Sequence, residues 1–205
     1  MRFLLASTVL LNACSACATK QPAELPGIPL EVDPSWAIQT PEGGGGHACP
    51  VNGMVLTATH VMTSEDGSRF VGVAWSDGFG GEGFARVLRS HNNLDITELE
   101  IVGIAGDGVH YLPSGSAKAG EKVFWFEYDF RTRANALRAH RRFAKILRIV
   151  AQHYVLDEMP VGGASGTCLI NERGEVVGLV VAAWPTDDKL GVGSAVKLPV
   201  ELTAP

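Results

Sequence analysis

Gly162-Gly163-Ala164-Ser165-Gly166-Thr167-Cys168-Leu169-Ile170-Asn171 runs from a glycine-rich bend straight into a short apolar strand, with a serine at the junction. Glycine reaches backbone angles closed to other residues, so such a bend can turn sharply and present its serine. A hydroxyl is a weak nucleophile at neutral pH, so Ser165 has chemical meaning only beside a base. Two stretches upstream offer partners. In Gly53-Met54-Val55-Leu56-Thr57-Ala58-Thr59-His60-Val61 an apolar strand enters a turn of small residues that ends in histidine. In Asn93-Leu94-Asp95-Ile96-Thr97-Glu98-Leu99-Glu100-Ile101 an aspartate opens a strand in which Ile96, Leu99 and Ile101 can share a core face. Each stretch alone is weak. The order histidine, aspartate, serine is one of the few in which a nucleophilic triad recurs. It nominates His60 as base, Asp95 as its orienting carboxylate and Ser165 as nucleophile.

The surrounding chain reads as strands. Short apolar runs alternate with turn residues at Met54–Thr59, Phe70–Trp75, Gly83–Leu88, Ile96–Ile104, Lys122–Tyr128, Phe143–Val150, Tyr154–Leu156, Cys168–Asn171, Glu175–Ala183 and Gly193–Leu198. Among the 205 residues are 24 glycines and 11 prolines, which suits many tight turns. This pattern predicts an all-β sandwich or barrel. Apolar residues make up 46% of the chain, enough for a sizeable core. The net charge of -5 argues against a nucleic-acid partner. One stretch is basic, from Arg131 to Arg148, and reads as a solvated loop and strand edge. Residues 19–46, with Pro22, Pro26, Pro29, Pro34, Pro41 and Gly43 to Gly46, read as a tether, because prolines at this density disfavour helices and central strands.

The first 18 residues have the form of an export signal: a positive start at Arg2, then an apolar run from Phe3 to Leu11 too short to span a bilayer. Leu11-Asn12-Ala13-Cys14 resembles a lipoprotein processing site and makes Cys14 a lipidation candidate. Ala16-Cys17-Ala18 offers a competing cleavage site. Membrane contact is expected only through a lipid at Cys14. Export would place the folded part in an oxidising compartment, where Cys49 and Cys168 either pair or stay as two free thiols. No histidine pair has zinc-ligand spacing and no phosphate-binding glycine loop occurs, so neither a metal nor a cofactor is expected. His47, His91, His110, His140 and His153 lack the strand-turn setting of His60 and are poorer candidates for the base.

Together the three stretches resemble those of trypsin-like serine peptidases, particularly exported HtrA-like members without the PDZ domain. Thr57-Ala58-Thr59-His60 resembles the T-A-A-H motif, Asn93-Leu94-Asp95-Ile96 the aspartate motif and Gly163-Ala164-Ser165-Gly166 the G-D-S-G motif. Gly174-Glu175-Val176-Val177-Gly178-Leu179 and Gly193-Ser194-Ala195-Val196 look like the closing strands of HtrA-like domains. The resemblance implies two packed antiparallel six-stranded β-barrels, about 47–115 and 116–205 within a peptidase domain of 47–205. It implies a serine endopeptidase working through an acyl-enzyme, with protein or peptide substrates and a periplasmic or envelope location. Backbone N–H groups of Gly163 and Ser165 would form the oxyanion hole. Val181-Ala182-Ala183 would pair with the substrate backbone, and Met159, after Asp157 and Glu158, would lie near the specificity pocket. A Cys49–Cys168 disulfide would link the barrels. The chain departs from the family pattern at Thr59, Ala164 and Thr167; with Ala164 in place of an acid, activation through a salt bridge to a new N-terminus is not available. These departures keep open a peptidase-like binding module that no longer cleaves. A structural envelope lipoprotein of unrelated β fold is a further alternative.

Overall fold

The structure, a computed structural model, describes residues 35–76, 81–91, 93–105, 109–128, 139–184, 192–199 and 202. Residues 1–18, the lipidation candidate Cys14, the first part of the tether and residues 131–138 of the basic stretch lie outside the described residues.

Twelve strands follow one another with a single 3₁₀ turn, Thr59–Met62, among the described residues. The first six are β1 (Trp36–Gln39), β2 (Gly45–Val51), β3 (Met54–Ala58), β4 (Gly72–Ser76), β5 (Glu82–His91) and β6 (Ile96–Ala105). They close into one barrel in the order β1-β2-β3-β6-β5-β4. The second six are β7 (Lys122–Tyr128), β8 (Ala139–Val150), β9 (His153–Leu156), β10 (Cys168–Asn171), β11 (Val176–Trp184) and β12 (Val192–Lys197). Written from β7, their closed ring runs β7-β8-β9-β12-β11-β10, the same wiring. All neighbouring strands are antiparallel, and closure removes the sheet edges that an open sheet would leave unpaired.

The folded region starts earlier than the expected residue 47. β1 and the start of β2 lie inside the segment read as a tether. Pro34 and Pro41 flank β1 instead of interrupting it, and its short alternation turns Trp36 and Ile38 inward, 5% and 2% exposed. Trp36 stacks on Trp75 of β4 with ring centroids 4.5 Å apart, which closes the first barrel at the β1–β4 seam. Most of the strands read from the sequence are present with ends shifted by a few residues.

The second barrel is filled by Trp125, Ile146, Tyr154, Leu156, Leu169, Val180 and others. The first barrel's core runs on into the junction between barrels, where Leu56, Ile96 and Met62 share a cluster with Phe124, Ile170, Leu179 and Val196. Cys49 of β2 and Cys168 of β10 form a buried disulfide across that junction, with Cα atoms 5.0 Å apart. On β8, the Arg141 guanidinium lies over the Phe124 ring and Arg142 pairs with Glu127 and Glu158.

Candidate active site

His60 and Asp95 are neighbours because their strands are. β3 pairs with β6 so that Ala58 faces Ile96, and the next residue of one strand meets the preceding residue of the other. Asp95 has φ 55°, a left-handed conformation that aspartate tolerates better than most residues. In that conformation it accepts three hydrogen bonds from the turn. Its carbonyl takes the Thr59 N–H at 3.0 Å, Oδ1 takes the His60 N–H at 2.9 Å and Oδ2 takes His60 Nδ1 at 2.7 Å. With Nδ1 turned to the carboxylate, the neutral imidazole is held in the tautomer that leaves its lone pair on Nε2. Beneath the turn, Thr59 Oγ1 bonds Thr97 Oγ1 at 3.0 Å, which in turn bonds Ser90 Oγ at 2.9 Å. The hydroxyl at position 59 is thereby satisfied in a buried place.

Ser165 comes from the second barrel, in the bend between β9 and β10. It shares with His60 the lining of one cavity of about 210 Å³, together with Pro160, Val161, Gly162, Val180 and Val181. Its hydroxyl donates to the Val181 carbonyl at 3.0 Å, and among the described residues no hydrogen bond joins it to His60. Gly163 has φ 95°, the backbone freedom expected of glycine in this bend. The N–H groups of Gly163 and Ser165 donate to no other described group. Ala164 between them is 1% exposed. Thr167 bonds Ser35 through its hydroxyl at 2.8 Å, tying the bend to the start of the first barrel.

The other expected site residues divide. Val181 lines the cavity, and Ala182 and Ala183 continue β11, paired with Ser194 and Gly193. Met159 is 47% exposed and is not one of the residues lining that cavity. Asp157 Oδ1 accepts the Lys145 N–H at 2.6 Å, so its carboxylate is taken up by the backbone in the middle of β8. Glu158 is paired with Arg142. The cavity lining thus holds one ionisable side chain, His60.

Two functional candidates escaped the sequence reading. Glu127 of β7 is 5% exposed; its Oε1 accepts the Val161 N–H at 3.0 Å and the Trp125 indole at 2.8 Å, which pins the cavity wall. His47 of β2 is fully buried, and its Nδ1 bonds the Gly163 carbonyl at 2.8 Å. Burial pushes its pKa down to about 4, so the imidazole is neutral. His47 is visible in the sequence only as a histidine beside four glycines, with nothing to mark its partner 116 residues away.

A two-barrel junction with histidine and aspartate on one barrel and serine on the other has the form of a chymotrypsin-fold serine peptidase. Solved structures share the architecture: a serine protease of human pathogenic astrovirus matches with TM-score 0.63 at 18% identity, over 85% of this chain and 96% of that one. The HtrA-type protease AlgW, solved with a decapeptide, matches with TM-score 0.62 at 16% identity, over 84% of this chain and 63% of that one. At these identities the likeness speaks for the fold. A search of curated proteins found no match. The trypsin-like peptidase domain model matches residues 44–179, more than half of the chain. The chain belongs to that family, and it is a serine endopeptidase by class.

Proposed function

We propose that the chain hydrolyses peptide bonds through an acyl-enzyme on Ser165, with His60 as general base and Asp95 holding the imidazole. The observation that carries this reading is that His60, hydrogen-bonded to Asp95, lines the same cavity as Ser165. In this reading the Ser165 hydroxyl leaves the Val181 carbonyl to meet Nε2 of His60. Oγ attacks the substrate carbonyl carbon while Nε2 takes the proton. The oxygen that gains charge is met by the N–H groups of Gly163 and Ser165. Collapse breaks the C–N bond, and the amine leaves with the proton from His60. A water then repeats the sequence on the ester and frees Ser165.

Substrate would lie as an extended strand along Val181-Ala182-Ala183, adding to the sheet through backbone bonds. The lining supports an uncharged, apolar or small side chain beside the scissile bond. An exported, envelope-associated enzyme, lipid-anchored at Cys14 or freely secreted, fits the positive start and apolar run of residues 1–18. The bond from Ser165 to Val181 favours the competing reading, a peptidase-like binding module. Covalent labelling with a serine-directed phosphonate separates the two. Labelling of wild type and not of Ser165→Ala supports the enzyme, and no labelling of either favours the module. Cleavage of a peptide library, with the same variant as control, reads the side-chain preference.

A further inference from the structure

We propose that His47 is a positioning residue that holds the oxyanion-binding bend in its working shape, reaching across from the first barrel to grip two carbonyls of the second. This rests on the serine-peptidase reading and adds to it a residue outside the triad.

The bend from Gly162 to Gly166 has glycines at three of its five positions. Glycine peptides have several orientations of similar energy, so the bend does not specify its own conformation. A hole for a developing oxyanion needs N–H groups aimed at one point before the substrate arrives. The peptide after Gly163 joins the two peptides that carry the Gly163 and Ser165 N–H groups, so turning it over would shift both donors. Two bonds oppose that turn. On one side the Ala164 N–H donates to the Val161 carbonyl at 3.1 Å. On the other, His47 Nδ1–H donates to the Gly163 carbonyl at 2.8 Å. The backbone N–H of His47 donates to the Ser165 carbonyl, also at 2.8 Å. One residue of β2 therefore holds the carbonyls of Gly163 and of the nucleophile itself.

His47 is itself held. Its carbonyl accepts the Thr57 hydroxyl at 2.7 Å. Gly166, at φ 88°, passes so close that a Cβ there would sit 2.0 Å from the His47 oxygen. Cys49, two residues along β2, is bonded to Cys168, three residues past Ser165. Ala164, the residue between the gripped carbonyls, is buried and carries no charge with which to anchor the bend. The anchor is supplied from the other barrel instead, by a neutral donor. Burial keeps the imidazole uncharged down to a pKa of about 4, so Nδ1 donates without a charge to desolvate.

The test compares donors of different position. An asparagine amide reaches where Nδ1 lies, whereas a glutamine amide reaches where Nε2 lies; both keep a polar group at the site. In His47→Gln and His47→Leu, kcat should fall on the order of 10²-fold, the size of losing one oxyanion donor, with KM within about threefold of wild type. His47→Asn should recover most of that loss. Melting curves of each variant establish that the losses belong to folded protein. Folded His47→Gln and His47→Leu with wild-type kcat would overturn the proposal. So would a His47→Asn no better than His47→Gln, which would reduce His47 to packing. Failure of the underlying reading looks different: wild type itself would show no Ser165-dependent hydrolysis. Amide exchange at residues 163–166 then decides, with faster exchange in His47→Gln and His47→Leu than in His47→Asn supporting the grip and unchanged exchange ending it.

Discussion

The two halves of the candidate site are built differently. His60 and Asp95 sit at one end of a single pair of hydrogen-bonded strands, and the register, with the turn that follows β3, brings them within 2.7 Å. Ser165 belongs to the other barrel, and its position relative to His60 depends on a few ties across the junction: the Cys49–Cys168 bond, the His47 bonds and the Ser35–Thr167 contact. The His60–Asp95 half is joined by two direct hydrogen bonds. In the Ser165 half the hydroxyl is bonded to the Val181 carbonyl and not to His60. Geometry within a sheet comes with the strand pairing, whereas geometry between sheets must be secured by contacts of its own.

The sharpest break of this comparison is at the nucleophile. Ser165→Ala should lower kcat on the order of 10⁶-fold and leave the melting temperature nearly unchanged; a variant retaining measurable turnover would relocate the chemistry. Next comes the locked half. Asp95→Asn presents an amide to His60 and favours the wrong tautomer, so kcat should fall on the order of 10⁴-fold with KM little altered. A loss under tenfold would mean that this pair is not the working base. Third, the covalent tie closes a separation of 119 residues, so reduction, or Cys49→Ala with Cys168→Ala, should cost about 4–5 kcal/mol of stability by loop entropy. An unchanged denaturant midpoint would contradict it. The smallest effect concerns acid. His47 has a native pKa of about 4 against an ordinary value of 6.5, so the unfolded chain takes up the proton first. Stability should decline as pH falls from 6.5 and level off below 4, a loss of about 3 kcal/mol. His47→Asn should flatten that part of the urea-denaturation profile.

The same division governs what the sequence revealed. Short runs rich in apolar and aromatic residues, such as Lys122–Tyr128, were legible because composition and flanking turns are local signals. The triad candidates were legible because each sits where a strand meets a turn. β1 was hidden by the prolines on either side of its four residues, although Trp36 and Ile38 carried its alternation. The turn Asn52-Gly53, with φ 47° and 79°, joins β2 to β3 and is a strong hairpin signal once β2 is recognised. His47 and Glu127 were not legible, because their roles lie in partners 116 and 34 residues away, Gly163 and Val161. Nor was the direction of Asp157, which depends on the backbone of β8.

The disulfide has one more consequence. β6 ends at Ala105 and β7 begins at Lys122, and the chain between them is the peptide link from one barrel to the other. The sulfur bridge is a second link that bypasses it. A cut anywhere in residues 106–121, by this protease on its own kind or by another, would leave two fragments travelling as one species, even in denaturant, until a thiol reagent is added. The molecule can therefore exist as a nicked, two-chain form with both halves of its candidate site still joined.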